Sequence, residues 1–218
     1  MRKNNHCKIC FGETVPLRDK KFNIDYYICS YCEYIFMDEG AIVSPEQEVA
    51  RYKEHNNTME NEGYVNMFNR FLKITVDPYA DRIKTALDFG SGTCPVLASI
   101  LQQKGFEVDY YDPYFAPEKI YENKSYDLIT ATEVFEHLQH PLQTAKLLKK
   151  HLNNGGIMAI MTLFHPGDAV SFSNWWYRRD STHISFFRPR TFTVLARLIG
   201  LKVLTFDNKN VCVLTKYS

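Results

Sequence analysis

Two cysteine pairs constrain this chain more than anything else in it. Cys7-x2-Cys10 and Cys29-x2-Cys32 are separated by eighteen residues. A Cys-x2-Cys turn places two thiolates on one side of a metal, and two such turns complete a closed tetrahedral site. Paired disulfides would also use four cysteines, but they need an oxidising compartment. The chain runs from Met1 into Cys7 without an apolar leader, so the expectation is a cytoplasmic protein. Cys7, Cys10, Cys29 and Cys32 are therefore read as ligands of a structural zinc ion. With thiolate at every position, no place is left for a reacting water. Strand-like runs, Tyr26-Tyr27-Ile28 before the second pair and Tyr34-Ile35-Phe36 after it, flank those cysteines. Residues 1–40 are too few to bury a sufficient core, so the metal supplies folding free energy.

Charge narrows the partners. The 218 residues carry 26 Lys and Arg against 25 Asp and Glu, a net charge of +1. Over residues 1–40 the two signs balance at six each, whereas phosphate neutralisation needs a basic surplus. Nucleic acid is thus disfavoured as a partner. No apolar run is long enough to span a bilayer, so a membrane is not expected either. Oligomeric state is not legible.

Residues 40–57 are polar and read as a linker, and residues 58–76 as a helix with Tyr64, Phe68, Phe71 and Leu72 on one face. Beyond residue 81 short strands alternate with helices. Strands are expected at 85–89, 107–111, 126–131 and 157–162, and helices after Pro95, Pro141 and Pro189. A hairpin, 201–206 and 211–216, closes the chain. This order predicts an α/β fold: a parallel sheet covered on both faces and finished by one antiparallel strand. The organisation read is a zinc ribbon over 1–40, a linker and helix covering the site over 41–80, and a Rossmann-like domain over 81–218.

The first strand of that domain leads into Asp88-Phe89-Gly90-Ser91-Gly92-Thr93-Cys94-Pro95. Gly90 and Gly92 allow a tight turn and close approach of a ligand. Where a dinucleotide fingerprint has its third glycine this chain has Pro95, which suits a helix start but not close helix–strand contact. Asp112 follows the second strand, twenty residues past Gly92, where a carboxylate accepts ribose hydroxyls. An adenosine ligand without a pyrophosphate cradle fits this pattern, and S-adenosylmethionine is such a ligand.

Several stretches now resemble the successive motifs of class I S-adenosylmethionine-dependent methyltransferases. They are Leu87–Thr93, Tyr111-Asp112-Pro113, Tyr126–Leu138 and Asn154-Gly155-Gly156. The chain is similar in particular to a bacterial group of these enzymes that carries a four-cysteine ribbon in front. The resemblance implies that Asp88, Gly90, Gly92, Asp112, Glu133 and Tyr64 hold S-adenosylmethionine. Only thirteen residues separate Asp112 from Tyr126, where the family fits a helix and a further strand, so the sheet should be short of an element there.

On the acceptor side, His137 and His183 are the candidate catalytic residues, since imidazole is the usual proton acceptor near neutrality. Sugar C-methyltransferases are similar in having histidines at both places, with a carboxylate where this chain has Thr182. Trp175, Trp176, Tyr177 and Arg178 are expected in a loop that covers the acceptor, although aromatic clusters are more often core. His55 and Asn57, with Tyr52, should fold over the site. Residues 141–200 carry eight cations against two acids, which would suit an anionic small-molecule acceptor. The function expected is methyl transfer to a small molecule. Two alternatives take the ribbon as a docking piece for RNA or protein, or the fold as a nicotinamide-dependent oxidoreductase. A non-catalytic binding scaffold is a third.

Overall fold

The computed structural model describes residues 6–54 and 57–217. His55 lies outside the described residues. The ribbon contributes three antiparallel strands, β1 (Thr14–Asp19), β2 (Ile24–Cys29) and β3 (Ile35–Met37). Helices α1 (Pro45–Tyr52) and α2 (Glu62–Thr75) follow. The second unit then runs β4 (Thr85–Phe89), α3 (Val96–Gln103), β5 (Glu107–Tyr111), β6 (Tyr126–Thr132), α4 (Pro141–Lys150) and β7 (Leu152–Met161). Helix α5 (Ala169–Asn174), the two-residue strand β8 (Ser185–Phe186), α6 (Pro189–Ile199), β9 (Leu201–Phe206) and β10 (Val211–Lys216) complete it.

The main sheet has six strands in the order β5-β4-β6-β7-β10-β9. β5, β4, β6 and β7 run parallel, and β10 is antiparallel to both its neighbours. Its buried strands are rich in Leu, Ile, Met and Ala, as strands covered on both faces must be. Between Asp112 and Tyr126 there is only a single bridge, Asp112 to Ala116, so β5 is an edge strand. The missing element is the one that the short spacing foretells. Chain direction from β4 diverges to β5 on one side and β6 on the other. Ligands of open α/β sheets bind at the strand ends beside such a switch point.

Two expectations need correction. The stretch read as a linker holds helix α1. Ser44 caps it, accepting from the Gln47 N–H while the Gln47 side chain accepts from the Ser44 N–H. Ser-Pro-x-Gln is a capping-box signature with proline in the first turn, so the signal was present. The ribbon, read as a separate module, shares its sheet with the other unit. β8 pairs with β3, giving the order β1-β2-β3-β8. Cys7, Ile9, Cys29 and Cys32 belong to the same apolar cluster as Leu87, Ile129 and Phe192.

Polar contacts reinforce the junction. The Tyr34 and Ser185 hydroxyls lie 2.6 Å apart, and Thr191 Oγ1 donates to the Cys32 carbonyl at 2.8 Å. His165 and the Glu33 carbonyl are 2.7 Å apart, with burial lowering the imidazole pKa to about 4. His165, in the loop after β7, is therefore a neutral donor to the junction. Arg178, only 2% exposed, forms an ion pair with Asp19 at the end of β1. Breaking a buried pair from one side leaves an uncompensated charge, at a cost of about 3–5 kcal/mol. Arg178→Ala is expected to lower unfolding free energy by about that amount, measured by urea denaturation, whereas Arg18→Ala, which breaks an exposed pair with Asp25, should cost under about 1 kcal/mol.

Candidate functional site

A cavity of about 800 Å³ opens over the C-terminal ends of β4, β5 and β6, at the upper end of the roughly 300–1,000 Å³ common for ligand sites. Gly90 (φ +84°) and Gly92 (φ +70°) turn the chain at its floor. They serve different needs. A Cβ on Gly90 would meet Val134 Cγ2 at 2.3 Å, whereas one on Gly92 would meet nothing within 4 Å. The first glycine admits the neighbouring loop, and the second leaves open space beside the cavity.

Asp112 is fixed by backbone amides. Its Oδ2 accepts from Gly92 at 2.9 Å, and its Oδ1 accepts from Tyr114 at 2.9 Å and Phe115 at 3.1 Å. A carboxylate has about four acceptor sites. Three are spent, and the one left on Oδ2 can receive a single ribose hydroxyl rather than both. Tyr64 and Met67 of α2 and Tyr114 and Phe115 after β5 supply apolar walls. The glycine turn, the open space at Gly92 and a backbone-held carboxylate with a spare acceptor fit an adenosine-bearing cofactor.

The opposite wall is built from two turns. One, Phe135–His137, follows β6, and the other is Tyr177–Arg179. Glu133 joins β6 to the first in a left-handed conformation (φ +54°), of the kind that concentrates at functional sites. Its side chain is open to the cavity but enclosed by protein elsewhere. That enclosure, with the Glu136 charge beside it, pushes its pKa well above the carboxylate range. The Tyr177 hydroxyl donates to Glu136 Oε1 and lies 3.3 Å from Glu133 Oε2.

His137 and His183 face each other with ring centres 4.8 Å apart. Each places Nδ1 against a backbone carbonyl, His137 on Thr182 at 3.0 Å and His183 on Tyr177 at 2.7 Å. A carbonyl only accepts, so each ring carries a proton on Nδ1, and Nε2 is the nitrogen left uncommitted by these bonds. Burial and the adjacent His137 lower the pKa of His183, so it is neutral at pH 7.

Helix α1 roofs the cavity and is tied at both sides. Glu48 accepts from Tyr52 at 2.5 Å and from Tyr114 at 2.7 Å. Arg51 pairs with Asp180 at 2.9 Å. Burial opposes ionisation of Asp180, but bonds from Thr182 and Arg51 outweigh it and hold its pKa low. The Tyr52 ring stands edge-on to His137, 5.2 Å away. Glu48, Arg51, Tyr114, Asp180 and Glu136 were not anticipated. The capping box of α1 could have pointed to the first two. Nothing local marks the others.

Of the expected residues, Gly90, Gly92, Asp112, Glu133, Tyr64, Asn57, His137, His183, Trp176 and Tyr177 line the one cavity. Three do not. Asp88 is buried beneath the floor, accepting from Thr130 at 2.8 Å, and burial pushes its pKa up to about 6. Trp175 packs against the ribbon-side cluster around Phe172 and Phe186. Arg178 is spent on Asp19, with Nε donating to the Phe172 carbonyl. The basic surplus of residues 141–200 does not converge either. Arg188 and Arg190 pair with Glu33, and only Arg179 of that set reaches the cavity. The anionic acceptor loses its electrostatic support.

The ribbon cysteines converge. Sγ–Sγ distances of 3.5 Å (Cys7–Cys32), 3.4 Å (Cys10–Cys29) and 3.6 Å (Cys10–Cys32) are far too long for disulfides. They approach the separation of about 3.7 Å implied by metal–sulfur bonds of about 2.3 Å in a tetrahedron. Backbone amides of Ile9 and Cys10 point at Cys7 Sγ, and that of Cys32 at Cys29 Sγ, the outer-shell support a thiolate site needs.

The fold is Rossmann-like, and the pocket lies at the strand ends where such sheets take their ligands. A family described as a methyltransferase domain matches residues 58–205, and the chain belongs to that family. Among solved structures it is similar to an O-methyltransferase family protein from Burkholderia thailandensis, with 13% identity and a TM-score of 0.58 over 79% of this chain and 63% of that one. It also resembles mitomycin 7-O-methyltransferase, with 12% identity and a TM-score of 0.52 over 78% and 67% of the two chains. A third is an N-methyltransferase from Bradyrhizobium japonicum in complex with S-adenosyl-L-homocysteine, with 13% identity and a TM-score of 0.50 over 79% and 98%. At these identities the likeness establishes the fold. The chain spans under two thirds of the first structure's length. No curated protein matches it. No described helix is long and apolar enough to cross a membrane.

The two glycines predict different penalties. Gly92→Ala should cost about 1–2 kcal/mol for its left-handed backbone. Gly90→Ala should cost a further 1–3 kcal/mol or so by overpacking against Val134. Val134→Ala in the Gly90→Ala background should recover part of the difference. Denaturant unfolding of the three variants and the wild type measures this.

Proposed function

We propose that this protein transfers a methyl group from S-adenosylmethionine to a small-molecule acceptor, and that the cysteine cluster holds a structural zinc ion. The observation that carries the reading is the single cavity with two unlike walls. On one side stand Gly92 and the amide-held Asp112, on the other the imidazoles of His137 and His183. The structural neighbour solved with S-adenosyl-L-homocysteine supports the same cofactor class.

When bound, the cofactor supplies an electrophilic methyl on a sulfonium. The chain's contribution is alignment and exclusion of water, which together dominate such displacements. Asp112 orients a ribose hydroxyl through Oδ2. Tyr64, Met67 and helix α1 close over the site. The acceptor's nucleophilic atom sits at the His137–His183 corner, where Nδ1 of each ring is committed to a carbonyl and Nε2 is the nitrogen left to face it. Trp176, 65% exposed at the rim, covers the acceptor's outer side.

Isothermal titration should show S-adenosylhomocysteine binding to the wild type and at least tenfold weaker binding to Asp112→Ala. His183→Ala should retain that binding and lose turnover in a screen of hydroxyl- and amine-bearing metabolites. Binding of NAD in place of S-adenosylhomocysteine would refute the reading.

The zinc assignment has its own test. Elemental analysis should find one zinc equivalent fewer in Cys29→Ser than in wild type, together with a lowered Tm. Equal metal content in the two would count against a cysteine-bound ion.

A further inference from the structure

Glu136 is unexplained by the reading above. Its side chain is 0% exposed, and burial of a carboxylate is costly unless every oxygen finds a partner. Tyr177 satisfies Oε1. Oε2 has no hydrogen-bond partner among the described residues. Beside it stand two imidazoles, His137 and His183. One ligand atom from each of these three residues lies within 4.8 Å of the other two. Because Nδ1 of both rings is committed to a backbone carbonyl, Nε2 is the nitrogen each has to offer. A histidine fixed in this way through its other nitrogen is the usual arrangement around a metal.

We propose that Glu136, His137 and His183 form a binding site for a first-row divalent cation, of the Zn²⁺, Fe²⁺ or Co²⁺ class, at the acceptor wall. Two imidazoles and one carboxylate suit such ions and leave coordination positions open. His137 and His183 line the cavity, so the open positions face the acceptor. The site is separate from the cysteine cluster in both location and donor type. It rests on, and deepens, the methyl-transfer reading. An acceptor hydroxyl held by the ion would lose its proton more readily to solvent water in the open cavity, as metal-bound water does; its oxygen would then bond to the methyl carbon as the sulfonium carbon–sulfur bond breaks and S-adenosylhomocysteine leaves, so the site selects hydroxyl-bearing acceptors. In that state the two imidazoles act as ligands. The ion would also give Glu136 Oε2 the partner it does not have among the described residues.

The test uses the full-length protein with its ribbon metal in place. A mild chelator strips weaker sites, and Co²⁺ is then titrated in. Wild type should take up one equivalent, with ligand-field absorption and no thiolate-to-cobalt charge-transfer band. Glu136→Gln and His183→Ala should bind Co²⁺ at least tenfold more weakly while retaining the ribbon metal, which reports that they are folded. The proposal is overturned if wild type takes up no Co²⁺. It is equally overturned if the uptake carries the thiolate band, or if Glu136→Gln, His137→Ala and His183→Ala all bind as wild type does. S-adenosylhomocysteine binding on the same samples separates the two claims. Cobalt uptake without it supports the cation site and contradicts methyl transfer; its presence without cobalt uptake does the reverse.

Discussion

The pairing of β3 with β8 is the constraint on which the rest of this molecule depends. Only two residue pairs make it, Ile35 with Phe186 and Phe36 with Ser185, but it joins elements about 150 positions apart in the chain. His183 lies two residues before β8, and Tyr177 and Arg178 precede it by one short turn. The ribbon therefore positions the acceptor wall. Asp19 anchors Arg178 from one side, and the Met37 amide donates to the Ile184 carbonyl at 2.9 Å from another. A piece too small to fold alone supplies rigid backing for the His137–His183 side of the cavity.

This arrangement divides the labour of the cavity. The cofactor wall is built from strand ends and one sharp turn, held by backbone amides on Asp112. The acceptor wall is built from short turns whose side chains bond to carbonyls and to each other. Helix α1 bridges the two through Glu48 and Arg51. Preorganisation of this kind is what an in-line displacement needs, since little of the barrier is removed by covalent chemistry. Glu136 Oε2 is one of a few buried side-chain oxygens near the cavity left unpaired among the described residues, with Ser91 Oγ and Thr162 Oγ1.

The sequence made the cofactor wall legible because that wall is local. A strand, Gly90-x-Gly92, a helix, a strand and Asp112 follow one another within thirty residues, and each has its own period or turn signal. The closing hairpin and the shortened crossover before Tyr126 were readable for the same reason. The acceptor wall is assembled from distant pieces. Arg178 looks like a surface cation in its own stretch, and only Asp19 makes it internal. Trp175 and Trp176 are neighbours in sequence, yet one packs on Phe186 and the other meets solvent. Glu136 hides between Glu133 and His137, and only the fold reveals that it is buried.

Hydrogen exchange on the protein with and without metal at the cysteine cluster, where we propose zinc, tests the shared wall most directly. Removal of the ribbon metal should release the amides of residues 184–187 along with those of β2 and β3, while β4 and β6 stay protected. If residues 184–187 keep their protection once the ribbon has lost its metal and its own strands exchange freely, the ribbon does not hold the acceptor wall and the account fails.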